Sequence, residues 1–236
     1  MQITKQNEVS LNQEDYQNLL KPTYFFDYNT PTFEDYFQQF YEPKLNSIEN
    51  LKIFYYQIRD GILYNPYSFK IQKKYYKASY ILKQKKSFCI PKAILFSTVA
   101  RRLGIPSKIG FSDVKNHLSS QRFLEYLNSD VFAFHGYCEV FISKENSPYL
   151  GKWIKVTPAF DKELCSKFNV EPLKFDGKKD SIFQPYNFSN KKFMEYIRDR
   201  GSFPDFPYNY VINGLLDFYP FLKKKQKLSG DIRKEI

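Results

Sequence analysis

The scarce nucleophilic and basic residues of this chain point towards one chemistry. There are three cysteines, Cys89, Cys138 and Cys165, and two histidines, His117 and His135. A thiolate is the reactive form of cysteine, and a helix N-terminus or a nearby cation favours it. Cys89 runs straight into Ile90-Pro91-Lys92, with Lys85 and Lys86 just upstream. Cys138 lies among Tyr137, Val140 and Phe141, and Cys165 stands at helical spacing from Phe168; both read as buried, inert thiols. A histidine base needs a partner that fixes its tautomer and stabilises its charged form. His135 opens the run HGYCEVFI beside a glycine that leaves room at the ring. His117, in SDVKNHL, sits at a polar junction where capping or solvation accounts for it. With an odd cysteine count and no CxxC pair, neither a disulfide framework nor a zinc site is expected, and no calcium loop is evident. The expectation is no metal and no cofactor.

Neighbouring segments must position these groups. Ile90, Ala93, Ile94, Phe96, Val99, Ala100 and Leu103 recur near a 3.6-residue period, which predicts a core helix apolar around most of its circumference. Pro91 suits its first turn, and Gly104-Ile105-Pro106 its end. Cys89 is therefore expected at a helix start. SKIGFSDV, VFAFHGYCEVFIS and KWIKVTPAF are rich in aromatic and β-branched residues and read as strands. A hairpin loop over Asn146 to Gly151 would join the last two. That register sets His135 opposite residues 157–161, which hold one hydroxyl, Thr157, and one carboxylate, Asp161. Asp161 also precedes KELCSKF, where it suits a helix N-cap. Upstream, helices are expected after Thr30-Pro31 and from Ser47 to Gly61, and KYYKASYIL and KKFMEYIRDRG look helical as well. Helices followed by antiparallel strands make an α+β order, not a βαβ alternation.

At 236 residues, 42% of them hydrophobic and 26% charged, the chain is a globular protein of about one domain. The reading is a polar N-terminal arm over 1–22, a domain over 23–215 and a basic tail over 216–236. No apolar run reaches the roughly 20 residues of a membrane span, and the start is polar, so a cytoplasmic location is expected. The net charge is +11, with lysines densest over Lys70–Lys86 and Lys223–Lys227. Without a nucleic-acid motif, these clusters read as solvated surface, and no specific nucleic-acid partner is expected.

The segments SFCIPKAILFSTVARRLGIPSKIGF, FHGYCEVFI and GKWIKVTPAFDKELC together resemble the transglutaminase-like superfamily of papain-like cysteine enzymes, in particular a bacterial branch of transglutaminase-domain proteins. The resemblance implies a nucleophile helix packed on an antiparallel sheet, with Cys89 as nucleophile and His135 as base. Most members carry Asp four residues after the strand Trp; counted from Trp153, that position is Thr157. Asp161 is therefore the preferred third member and Thr157 the alternative. The implied activity is acyl transfer on a peptide or carboxamide bond, with hydrolysis favoured over transamidation. A non-catalytic protein- or peptide-binding module on the same fold is the competing reading.

Overall fold

The computed structural model describes residues 8–223 and 229–236. The expected arm over 1–22 and tail over 216–236 fall partly outside them, at residues 1–7 and 224–228, which include most of the lysine run.

The chain opens with β1 (Val9–Ser10), α1 (Gln13–Asn18), α2 (Pro31–Phe40) and α3 (Ser47–Gly61). Asn46 and Glu49 form a capping box that fixes the start of α3. Leu51, Phe54, Tyr55 and Ile58 are its core face. The KYYKASYIL stretch yields only a 3₁₀ turn and the four-residue α4 (Ala78–Ile81). On either side of this stretch, β2 (Leu63–Tyr64) runs parallel to β3 (Lys86–Ser87), tying the exit of α3 to the approach to Cys89.

Helix α5 (Cys89–Arg102) is the centre of the molecule: every residue from Cys89 to Arg101 is buried. It packs against a sheet whose order, among the described residues, is β1-β6-β5-β4-β7, antiparallel throughout. Its strands are β4 (Ser107–Asn116), β5 (Val131–Lys144), β6 (Ser147–Val156) and β7 (Met194–Phe203), with β1 at one edge. The expected α+β architecture, a core helix beginning at Cys89 and packed on an antiparallel sheet, is what the chain adopts. Short helices α6 (Gln121–Leu127), α7 (Lys162–Lys167) and α8 (Tyr208–Phe218) complete it.

Two expectations are corrected. The hairpin turns at residues 145–146, because Lys144 already faces Ser147 across the ladder. Residues 147–151, whose Ser, Pro and Gly signals suggested a loop, belong to β6; Pro148 is tolerated because it lies at the strand's start. KKFMEYIRDRG is not a helix but contributes to β7. Met, Glu and Arg favour helix locally, but β4 offers an open edge, and pairing with it prevails.

Strand β5 passes the first turn of α5 at close range. A Cβ on Gly136 would come within 2.9 Å of the Ile90 Cα, so only glycine lets the strand touch the helix's first turn.

Candidate active site

Cys89 is the first residue of α5, and its cap residue, Phe88, makes no side-chain capping bond. The first backbone N–H groups of the helix are thus not taken by a cap side chain. Burial pushes the Cys89 thiol up to about 11, offset in part by hydrogen bonds from the N–H groups of Gly136, Ile90 and Cys89 itself. The sequence suggested a thiol lowered by Lys85 and Lys86. Instead Lys86 reaches an exposed ion pair with Asp231, and the thiol is set by its apolar surroundings.

Those surroundings form a cavity of about 110 Å³ that Cys89 and His135 both line. Its walls come from the approach to α5 (Phe69, Phe88), from β5 (Phe132, Phe134), from the segment after β6 (Phe160, Phe183) and from the C-terminal residues Leu222 and Ile232. His135 is 6% exposed and packs against the rings of Phe183 and Tyr196. It makes no hydrogen bond among the described residues, and its Nε2 is buried without a partner. Desolvation alone pulls its pKa down to about 4.

The backbone before His135 is bent by a device absent from the sequence reading. The β4–β5 register slips between Ser112↔His135 and Val114↔Phe132, which leaves an extra residue on β5. Phe134 takes φ +57°, a left-handed conformation costly for a bulky side chain. Its N–H is held by Asp113 Oδ1 at 3.0 Å, and Asp113 in turn receives a bidentate pair from Arg200 at 2.6 and 2.8 Å. The Arg200 guanidinium lies 3.9 Å from the Phe134 ring centroid. This partly buried ion pair braces the bulge that precedes His135.

The third position differs from the first expectation. Asp161 is 1% exposed and caps α7 through Leu164 N–H (3.1 Å). Its other oxygen accepts from Tyr64 N–H at 2.8 Å and from Arg233, with which it forms a buried ion pair. The carboxylate has no hydrogen bond to His135. Its lone pairs are used by a helix start and by an arginine distant in sequence, which a strand-register argument does not foresee. Thr157 stands one residue past the last rung of β6, where Cys138 faces Val156. It is 1% exposed and its Oγ1 is buried without a partner.

Of the remaining candidates, Cys138 accepts from Ser97 Oγ at 2.9 Å inside the core, and Cys165 is buried on α7. Burial raises both thiols to about 12. His117 makes a partly exposed contact with Glu195 at 3.1 Å. Lys92, three residues along α5 from Cys89, was not singled out. It is fully buried, its ammonium donates to the carbonyls of Arg59 (2.8 Å) and Ile62 (2.6 Å), and burial draws its pKa down to about 7 against the pull of Asp161 and Asp60. Its signal in the sequence is a lysine at i+3 among the apolar first turns of α5, from Ile90 to Phe96.

The arrangement juxtaposes a thiol, an imidazole and the amide groups of a helix start at one water-poor wall, the set that thiol acyl transfer uses. The transglutaminase-like superfamily profile matches residues 34–158, more than half of the chain, and the chain belongs to that superfamily. The matched segment contains Cys89, His135 and Thr157 and ends before Asp161. A crystal structure of a proposed cysteine protease from Cytophaga hutchinsonii is 13% identical, with a TM-score of 0.43. The match covers 79% of this chain and 64% of that one, so the chain spans less than two thirds of that relative. No curated protein sequence matches. No helix among the described residues is long and apolar enough to cross a membrane.

Proposed function

We propose that the protein is a thiol-dependent acyl-transfer enzyme, hydrolysing an amide or peptide bond with Cys89 as nucleophile and His135 as general base. The observation that carries this reading is the shared cavity, in which the Cys89 sulfur also reaches the N–H of the residue after His135. Both groups rest neutral there, the thiol near 11 and the imidazole near 4. Attack therefore begins from the thiol. Sulfur bonds to the carbonyl carbon while His135 takes the thiol proton, and the N–H groups at the α5 start stabilise the oxyanion. The imidazolium then protonates the leaving amine as the C–N bond breaks. Water, deprotonated by His135, attacks the thioester; the C–S bond breaks and the thiol regains its proton. The working pair is therefore Cys89 and His135 without a third member: Asp161 is committed to α7 and Arg233, and the Thr157 hydroxyl makes no hydrogen bond to the ring. Hydrolysis is favoured over transamidation because water far outnumbers any amine as acceptor of the acyl group.

An activated ester tests this. Mixing with p-nitrophenyl butanoate should give a nitrophenol burst of one equivalent and an acyl mass increment mapped to Cys89. Cys89→Ala should abolish it, and His135→Ala should slow acylation by about 10²–10⁴-fold. Turnover surviving in Cys89→Ala, or acylation at Cys138 or Cys165, would refute the assignment. The binding-module reading is favoured by one observation, the absence of a hydrogen-bonded carboxylate on His135; it requires no burst at all.

A further inference from the structure

The cavity beside Cys89 differs sharply from the rest of this strongly charged chain. Among the described residues, none that lines it is Asp, Glu, Lys or Arg, although those types make up 26% of the sequence. The polar lining comprises Cys89, His135 and a few uncharged groups, such as Asn116 and Ser119. Asn116 is already engaged, since its Oδ1 accepts the N–H of Leu118. An ionised substrate group placed here would lose its hydration without a counter-charge, which costs far more than an apolar group gains. The chain itself sets an aliphatic side chain against this space: Ile232, 3% exposed, forms part of the wall. The size is also informative. An apolar cavity of about 150 Å³ takes benzene; scaled to about 110 Å³, the room is for four or five carbon atoms.

From this geometry we infer that the acyl side of the scissile bond carries an uncharged aliphatic group of four or five carbons. This rests on Cys89 as the nucleophile and names the substrate class of the same site. The shared chemistry is the aliphatic group next to the reacting carbonyl. It can come from a short fatty acyl chain or from a leucine-type residue of a peptide.

The test uses the full chain and two series of p-nitrophenyl esters. The first runs from acetyl to decanoyl; the second comprises N-acetyl-leucyl, N-acetyl-lysyl and N-acetyl-glutamyl esters. In each, the thiol proton passes through His135 to the departing nitrophenolate as sulfur takes the acyl group. In the first series kcat/KM should climb about fourfold per methylene, the value of one buried CH₂, peak at pentanoyl or hexanoyl and fall beyond. In the second, the leucyl ester should exceed both charged esters by at least about tenfold. The better of the two optimal esters identifies the source of the aliphatic group. Ala133→Leu, which adds bulk to a lining residue of β5, should move the optimum to shorter chains. The wild-type series decides the matter if that variant does not fold. A flat chain-length profile, or equal rates for the charged esters, with Cys89 still acylated overturns this inference alone. If Cys89 forms no adduct with any ester, the enzyme reading fails and this inference fails with it.

Discussion

Around Cys89 and His135 polar atoms are few, deeply buried and poor in partners; around Asp161, charges are mostly buried too but almost all engaged. The second region gathers Asp161, Arg233, Lys92, Arg59 and Asp60. Arg233 bonds Asp161 and the Tyr64 carbonyl, Lys92 bonds two carbonyls at the end of α3, and Arg59 pairs with Asp60 at 2.8 Å. Buried charge survives only where such partners compensate for lost hydration. Residues near one another in the fold thus follow opposite rules. One group rests unpartnered against an apolar wall so that it can react, and the other is tied to its neighbours by hydrogen bonds and ion pairs so that it can brace. A carboxylate near a candidate histidine is therefore weak evidence for a triad until its own bonds are known.

Four measurements can break or sharpen this division. The largest effect is expected at Asp161. Asp161→Ala leaves Arg233 buried without its partner and α7 without its cap, a loss of about 3–5 kcal/mol in urea unfolding. Asp161→Asn should keep the cap and, in the fraction that is folded, most of kcat; a drop beyond about a hundredfold would place Asp161 on the catalytic side. Next is acid lability. The folded pKa of His135, about 4, lies below its unfolded value of 6.5, so the unfolded chain binds more protons between them. Its contribution is full above pH 6.5 and is lost as pH falls towards 4, on the order of 3 kcal/mol in all. His135→Phe should flatten that part of the stability-against-pH curve, and an unchanged slope would show that the ring is not held neutral. Gly136→Ala should follow, at about 1–3 kcal/mol of overpacking. It should also lower kcat, because the methyl group meets backbone at Ile90; full activity would mean that this contact does not set the site. The smallest effect concerns the thiols. With Cys89 near 11 and the other two near 12, iodoacetamide at pH 8 should label Cys89 first, by about tenfold in thiolate fraction, and slowly. Rapid labelling of Cys89 at pH 6.5 would reveal a stabilised thiolate and remove the neutral pair.

What could be read from the sequence followed from local period and local chemistry. The limits of α5 came from Pro91, Gly104 and an apolar face; β5 came from its aromatic and β-branched run; the cap at Asp161 came from its place before KELCSKF. What could not be read depends on partners remote in sequence. β7 is a strand because β4 needs a neighbour, the Phe134 bulge exists because Asp113 and Arg200 hold it, and Asp161 is occupied by Arg233. Helix α8 was hidden by its flanking prolines and aromatics. Thr157 at the place of the family's carboxylate was visible from the start, but its buried, unpartnered hydroxyl appears only in three dimensions.

The segment over 230–236 carries a consequence in time. Gly230, Asp231, Arg233 and Glu235 are held by Asn65, Lys86, Asp161, Tyr67 and Ser120, which seats Ile232 in the cavity wall. A ribosome adding about 5–20 residues per second makes Ile232 on the order of 5–20 s after His135. Through that interval the nascent chain already holds the thiol, the imidazole and most of the wall, but not the part that Ile232 supplies. Assembly of the site is therefore a late event in synthesis.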